Sequence, residues 1–413
     1  MSSNKMFQIS AVLIMLFSLT VSGQEIREVD GRYHFTISKE FDVEPGGMLE
    51  VDGVNGHVII SSWDKNQVAI TDQIRLDVFT KTEAKEVAER IEDGYSSLSN
   101  TVTIQGRGHY DWMRRELEIK LPRSFDADVH TTRGNIVVSH VDGNIDLKTS
   151  GGNIELLDIG GDLQIKTSGG NLILDDIRAS VEGKTSGGNI ELNNIQEMVD
   201  LKTSGGNIRA VNVAKDAHLR TSGGRITLRN MGGNVNARTS GGNIKADDCK
   251  GEVDLHTSGG DVVARNIGSR LDIKTSGGDV FARNVAGTVL AQTSGGDVEL
   301  EDIRGAVRAK TSAGDVEVEI TLKDFSKDHR IHLKTNTGTI KLVLPAKFPA
   351  TISAEIHDSG GRWDRHEIYS DFPLSQEGSS SRRVVRRSGD INGGGDEVIL
   401  DASHGDIYIR KAK

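Results

Sequence analysis

The chain has 413 residues, of which 48 are glycine, 5 are proline and 4% are aromatic. Glycine is therefore roughly 12% of the chain against about 7% on average, and with so little proline the composition excludes collagen and proline-rich linkers. A formal net charge of −10 argues against nonspecific binding to nucleic acid, and a single cysteine excludes an intramolecular disulfide.

Residues 1–23 have the residue order of a secretory signal peptide. Lys5 supplies the charge, an apolar run extends from Phe7 to Val21, and small residues follow it. The run is shorter than the roughly 20 residues that cross a bilayer, so we expect cleavage rather than a retained anchor. The sequence predicts an exported protein of the periplasm, the cell surface or the extracellular space. It predicts no transmembrane segment after signal removal.

Residues 24–130 are predicted to form a β-structured cap that contains one short helix. The helix is expected near residues 82–93, where apolar side chains recur on one face. These side chains belong to Ala84, Val87, Ala88 and Ile91. We expect the helix to pack against the N-terminal end or the side of the structure that follows.

Residues 131–320 contain a repeat of constant length. The tetrapeptide Thr-Ser-Gly-Gly recurs every 18 residues, and its last copy has alanine in place of the first glycine. The copies begin at Thr149, Thr167, Thr185, Thr203, Thr221, Thr239, Thr257, Thr275, Thr293 and Thr311. Such constancy is typical of a solenoid, in which each coil stacks on the previous one.

Each repeat contains two short segments in which apolar and polar residues alternate. In one coil, Ile154 and Leu156 alternate with polar residues, and Leu163 and Ile165 do so again. The sequence therefore predicts an all-β protein, a parallel β-solenoid (β-helix) with 18-residue coils and two short strands per coil. The threonines of the repeat and Cys249 are expected to point into the core. The glycines are expected at the corners, with positive φ.

Residues 321–413 are predicted to form irregular C-terminal coils and a cap. The spacing lengthens after Thr311, so the next coil carries an insertion. Degenerate coils are expected at Ala354–Gly361 and at Val398–Ile409. Bulky aromatic side chains lie mainly in the two flanks, where the ends of a solenoid have to be covered.

Short motifs in both flanks resemble those of an adhesin family of exported bacterial β-solenoid proteins, built on an adhesin-like domain of unknown function. The N-terminal motifs are Glu44–Val51, Asn55–Val58 and Ser62–Val68, and the C-terminal ones are Ser370–Leu374, Gly389–Gly395 and Gly405–Ile407. The resemblance extends over nearly all of the mature chain. It implies a β-solenoid fold and an adhesive role, and it supplies no catalytic residues.

A basic column is the first candidate binding site. It occupies the position before each threonine: Lys148, Lys166, Lys184, Lys202, Arg220, Arg238, His256, Lys274, Gln292 and Lys310. We expect these side chains on the outer face of one sheet. One interpretation is a solvated face whose charges pair with an acidic column two residues earlier. The other is a stripe that binds an anionic polysaccharide or another envelope or surface component.

Two columns of Asn and Asp are the other candidates. The first follows the two glycines and ends in four aspartates, Asp261, Asp279, Asp297 and Asp315, which are weak candidates for a calcium site. Arg265 and Arg283 are expected to compensate that charge if no cation does. The alternative for this column, and for a second one that runs from Asp158 to Asp302, is a turn-forming role. No other metal or cofactor is predicted.

No enzyme motif is present, and the repeat stays uniform where an active site would be expected to interrupt it. The favoured function is therefore a non-catalytic, adhesin-like protein that binds at the cell surface or envelope through its repetitive polar faces. The first alternative is a structural or scaffold protein of the cell envelope linked to envelope stress. The second is a polysaccharide-active β-helix enzyme. Ligand identity, oligomeric state and solenoid handedness are left open.

Overall fold

The chain folds into a parallel β-solenoid, in which the apolar residues of each alternating segment face the core. The computed structural model describes residues 25–106, 111–357, 366–376 and 384–412, so the predicted signal peptide at residues 1–23 lies outside the described residues. Between residues 126 and 320 each coil contributes one six-residue and one four-residue strand, except at the two ends of this region. The six-residue strands form sheet A and the four-residue strands form sheet B.

The N-terminal region contains seven strands and one helix. They are β1 (Arg27–Val29), β2 (Arg32–Asp42), β3 (Met48–Trp63), β4 (Gln67–Leu76), α1 (Lys81–Glu92), β5 (Tyr95–Leu98), β6 (Thr101–Gln105) and β7 (Met113–Pro122). The predicted helix is confirmed. It begins after Thr80, whose hydroxyl accepts a hydrogen bond from the backbone N–H of Glu83 at 3.1 Å.

The repeat region runs from β8 to β29. In chain order the strands are β8 (Asp126–Arg133), β9 (Ile136–Val141), β10 (Ile145–Lys148), β11 (Ile154–Ile159), β12 (Leu163–Lys166), β13 (Leu172–Ile177), β14 (Val181–Lys184), β15 (Ile190–Ile195), β16 (Val199–Lys202), β17 (Ile208–Val213), β18 (Ala217–Arg220), β19 (Ile226–Met231), β20 (Val235–Arg238), β21 (Ile244–Cys249), β22 (Val253–His256), β23 (Val262–Ile267), β24 (Leu271–Lys274), β25 (Val280–Val285), β26 (Val289–Gln292), β27 (Val298–Ile303), β28 (Val307–Lys310) and β29 (Val316–Ile320).

The C-terminal region contains the remaining strands. They are β30 (Ile331–Thr337), β31 (Ile340–Leu344), β32 (Ala350–His357), β33 (Ile368–Ser370), β34 (Ser375–Gln376), β35 (Val384–Ile391), β36 (Asp396–His404) and β37 (Ile407–Lys411).

Equivalent strands of successive coils pair in parallel, and from β10 to β28 their register does not shift; the register between β27 and β29 shifts between Leu300 and Ile303. Ile190 lies beside Ile208, and Val199 lies beside Ala217, one repeat later. Each apolar position therefore stacks on its equivalent, and the inward-facing aliphatic side chains of both sheets form one continuous core. Cys249 lies in that core as expected, and burial raises the pKa of its thiol to about 12.

At both ends, the order of coils in space differs from their order in the sequence. Strand β3 spans both sheets and lies between β6 and β7 on one side and β8 and β9 on the other. At the C-terminus, β36 and β37 pair with β30 and β31, so the degenerate coil predicted from Val398 exists. It is inserted between that pair and the earlier strands β32 and β33. Residues 358–361 of the other degenerate coil lie outside the described residues.

The N-terminal end is closed by an antiparallel extension of sheet A. Strand β4 pairs with both β2 and β7, and α1 packs its apolar face against the apolar side chains of these strands. Beneath this extension lies a buried ion pair. The Nε and Nη2 atoms of Arg115 donate to Oδ2 of Asp72 at 2.9 and 2.6 Å, and the hydroxyl of Tyr95 bonds to both side chains. The pair ties β4 to β7.

Candidate functional site

The threonine of each repeat is a buried structural residue. The hydroxyl of Thr221 donates to the carbonyl oxygen of Gly206 in the previous coil at 2.8 Å. It accepts from the backbone N–H of Gly224 in its own coil at 3.2 Å. Neighbouring coils repeat this arrangement. The predicted inward orientation is confirmed, and from Thr149 to Thr293 each hydroxyl satisfies one donor and one acceptor at the corner.

Replacing Thr221 by valine is expected to lower the free energy of unfolding by about 1–3 kcal/mol. Valine keeps the shape of the side chain but has no hydroxyl. The carbonyl oxygen of Gly206 and the N–H of Gly224 would each lose a hydrogen bond. Chemical denaturation measures the change. Ser222→Ala, at the exposed neighbouring position, is the control and should change stability by no more than about 0.5 kcal/mol. Equal effects of the two substitutions would contradict the assignment.

The two glycines of each corner have different roles, and the predicted positive φ is wrong for both of them. A Cβ on Gly224 would lie 1.9 Å from the carbonyl oxygen of Gly206, whereas a Cβ on Gly223 would come no closer than 3.7 Å to a neighbour. Only the second glycine is required by the close approach of successive coils. The difference explains why Ala313 replaces the first glycine in the last copy.

Positive φ occurs instead in the Asx column that runs from Asp158 to Asp302. All nine of its residues have φ between 51° and 60°. Asn and Asp tolerate this left-handed conformation better than other residues with a side chain. The amides also bond along the axis: Nδ2 of Asn212 donates to Oδ1 of Asn194 at 2.8 Å. A turn-forming role is therefore enough to explain why Asn and Asp occupy this column.

The column with the four aspartates is also used within the coils. Oδ1 of Asp261 accepts from the backbone N–H of Asp279 at 3.1 Å, and the later members continue the chain of bonds. Arg265 and Arg283 do not compensate this column as expected. They pair with Asp247 at 3.7 Å and with Glu301 at 3.5 Å, because their strand positions lie on the outer face of sheet A. Calcium binding here stays a prediction.

The basic column lies at the ends of the sheet B strands, where its side chains reach solvent. Among the described residues, pairing between the basic and acidic columns occurs at two positions. Arg238 pairs with Asp254 and Lys274 pairs with Asp272, both at 3.6 Å. Within the described part of the chain, the other cations of the column form no ion pair. These are Lys148, Lys166, Lys184, Lys202, Arg220 and Lys310.

A shallow groove of about 610 Å³ runs beside this column. It is lined by basic side chains and by the exposed serines that follow two residues later in the same coils. Its basic residues are Lys166, Lys184, Lys202, Arg220, Arg238 and His256, and its serines are Ser186, Ser204, Ser222, Ser240 and Ser258. Parallel strands are about 4.8 Å apart, so the groove presents one basic group and one hydroxyl at that interval. We call it the basic groove.

Two features were not predicted from the sequence. The first is a group on sheet B in which ligand atoms of Asp128, His130 and Asp146 lie within 4.8 Å of one another, the only such group in the described ranges. Burial and the neighbouring carboxylates raise the pKa of Asp128. The second is a pocket at the N-terminal end, lined by the outer face of β2, β4 and β7. The pocket depends on strands that are distant in sequence, so no local motif indicates it. The acidic group does have a signal in the sequence, because Asp128 and Asp146 occupy equivalent positions of successive coils, one 18-residue period apart.

No helix among the described residues is long and apolar enough to cross a membrane. A search of the curated proteins found no match. A family profile described as Toastrack DUF4097 matches residues 55–262 and 226–410.

Two crystal structures are similar in part. One is of a candidate adhesin from Bacteroides fragilis, which is 13% identical, with 68% of this chain and 96% of that chain covered and a TM-score of 0.24. The other is of a candidate cell adhesion protein from Clostridium sporogenes, which is 9% identical, with 91% of this chain and all of that chain covered and a TM-score of 0.15. At these scores neither likeness carries an argument about function.

Proposed function

This chain belongs to the Toastrack DUF4097 family, and from that premise we propose that it is a non-catalytic, exported, adhesin-like protein that binds an extended anionic polymer along the basic groove. An acidic polysaccharide of a cell surface or envelope is the ligand class that fits. The observation that carries the proposal is a line of cations along the groove, most of them without ion-pair partners in the described ranges.

The rigidity of the coil favours such a ligand. Each basic side chain projects from a strand whose backbone is bonded to the coils on both sides, so the spacing of charges is set by the sheet. A polymer whose anionic groups recur at a multiple of about 4.8 Å would meet several cations at once. Each exposed contact contributes little alone, roughly 0–1 kcal/mol, so affinity has to come from several contacts along the groove.

The serines of the groove add neutral donors and acceptors. These serines are exposed, and along the axis each one stacks on the serine of the previous coil, as the bond from the backbone N–H of Ser204 to the carbonyl oxygen of Ser186 shows. A hydroxyl-rich polymer such as a polysaccharide can exchange hydrogen bonds with these serines while its carboxylates contact the cations. This combination favours an acidic polysaccharide over a polyanion without hydroxyl groups.

Charge reversal along the groove tests the proposal. Lys166, Lys184 and Lys202 are changed to Glu together, and binding to polygalacturonate is measured against neutral dextran. We expect affinity for polygalacturonate to fall by roughly tenfold or more, and wild-type binding to weaken with added salt. The matched control changes Lys215, Lys250 and Lys323 to Glu, which gives the same net charge outside the groove. Equal losses in both variants, or none in the first, would overturn the proposal.

A scaffold role in the cell envelope is the second candidate, and one observation favours it. The threonine, the second glycine and the Asx residues of the repeat are all occupied by bonds or contacts between coils. Most of the repeat therefore serves the rod itself. Under this candidate the protein would bind none of the acidic polymers, and its basic groove variants would behave like the wild type.

A further inference from the structure

The N-terminal end of the rod contains a second basic pocket. It has a volume of about 760 Å³ and lies on the outer face of the antiparallel strands β2, β4 and β7. Pockets for small molecules are typically about 300–1,000 Å³. Polar side chains dominate its lining, and those used below are His34, Thr36, Gln73, Arg75, Arg114 and Glu116. None of them belongs to the basic groove.

Three basic side chains stand in one row across these strands. His34 is directly opposite Arg75 on the neighbouring strand, and Arg75 is directly opposite Arg114 on the next one. Like charges in directly opposed positions destabilise an antiparallel sheet. Within the described ranges Arg75 and Arg114 form no ion pair, whereas nearby Arg32 and Arg133 pair with Asp77 and Asp111. The two arginines of the row therefore carry positive charge without an ion-pair partner in the described ranges. Glu116 is the remaining carboxylate of the lining, since Glu25 pairs with Arg27.

The floor beneath the row is rigid. Arg115 and Asp72 alternate with the pocket residues along β7 and β4, so their side chains point to the opposite, buried side of the sheet. Their ion pair is completely buried and joins the two strands that carry Arg75 and Arg114. Because the buried charges neutralise each other, the pocket's positive character comes from the outer row. A fixed floor lowers the cost of ordering the arginines around a ligand.

We propose that this pocket binds a tetrahedral oxyanion ester, a phosphate or sulfate group carried on a hydroxyl-bearing body such as a sugar. The planar guanidinium groups of Arg75 and Arg114 each present paired N–H donors that match such an anion. Thr36 and Gln73 supply neutral donors on the same face. Glu116, opposite Gln73, is placed to accept from a hydroxyl of the body.

Titration of the full-length mature protein with glucose 6-phosphate and glucose 6-sulfate, followed by calorimetry, tests this site. Inorganic phosphate and glucose are the two partial probes, and both should bind more weakly than the esters. The variant Arg75→Gln/Arg114→Gln is expected to lose ester binding by at least roughly tenfold. Arg209→Gln/Arg229→Gln removes two exposed arginines of sheet A outside the pocket and should bind like the wild type.

Circular dichroism of the Arg75→Gln/Arg114→Gln variant should show a melting temperature no lower than that of the wild type, because the substitution removes a repulsion. The proposal is overturned if neither ester binds the wild type at millimolar concentration, or if both arginine pairs affect binding equally. Inorganic phosphate binding as tightly as the esters would overturn the role of the hydroxyl-bearing body. The polygalacturonate assay of the basic groove is independent of every one of these outcomes.

Discussion

Gly224→Ala is expected to unfold the solenoid around its coil, with a loss of more than about 4 kcal/mol in the free energy of unfolding. The added Cβ would lie 1.9 Å from the carbonyl oxygen of Gly206 and 2.5 Å from its carbonyl carbon. Both atoms belong to backbone that is bonded between coils, so no side-chain rotation can relieve the overlap. The strands on either side would have to separate, which breaks the parallel pairing. Thermal and urea unfolding measure the loss.

Gly223→Ala is the matched control, because it makes the same chemical change one residue earlier. There the nearest heavy atom to an added Cβ is the carbonyl oxygen of Gly205 at 3.7 Å, an ordinary contact. The backbone φ of Gly223 is not positive, so alanine introduces no strain there. We expect its stability to stay within about 0.5 kcal/mol of the wild type. If both variants were equally destabilised, flexibility of the glycines rather than close approach of the coils would be the cause.

Arg115→Met is expected to destabilise the N-terminal cap by about 3–5 kcal/mol, since it leaves the carboxylate of Asp72 buried without its partner. Burial raises the pKa of Asp72, and Arg115 opposes that rise. Without Arg115, the folded-state pKa of Asp72 lies further above the unfolded value than it does in the wild type. Stability is then retained below the unfolded pKa and lost as pH rises through the folded one. Urea unfolding at several pH values should show the defect growing toward neutral pH.

Replacing all three polar residues of the buried cluster distinguishes the effect of an unpaired charge from the effect of altered packing. The variant Asp72→Leu/Arg115→Met/Tyr95→Phe leaves no unpaired polar atom from the cluster, and we expect it to recover most of the stability lost in Arg115→Met. Its stability should no longer vary with pH beyond the variation of the remaining protein. A triple variant as unstable as the single one would show that the ion pair is needed for its geometry rather than for charge neutralisation.

Much of the fold could be predicted because one local pattern is repeated without insertion. The two alternating segments, the stacked aliphatic columns and the inward threonines all follow from an 18-residue period. The helix at Lys81–Glu92 was predicted from its apolar face and has its cap at Thr80. The prediction of positive φ for the corner glycines is wrong. The second glycine is required because successive coils approach too closely for a Cβ, and not because the backbone is left-handed.

The candidate sites were predictable to different degrees. The basic column could be found from the sequence because its members share one position in the repeat. The groove beside it required the three-dimensional structure, which brings residues such as Lys202 and Ser204 from several coils into one lining. The N-terminal pocket had no signal in the sequence, since His34, Arg75 and Arg114 belong to three strands whose pairing is antiparallel and distant.

The sequence by itself determined the repeating rod, since an apolar column that recurs every 18 residues can be buried only by stacking one coil on the next. The tertiary structure alone decided the order of coils at the two ends, where β3 and the strands β36 and β37 are inserted between coils that come elsewhere in the chain. It also decided which cations of the described ranges form an ion pair, as Arg238 and Lys274 do. Both depend on pairing between distant strands, and a local pattern contains no information about which distant strand will be its neighbour.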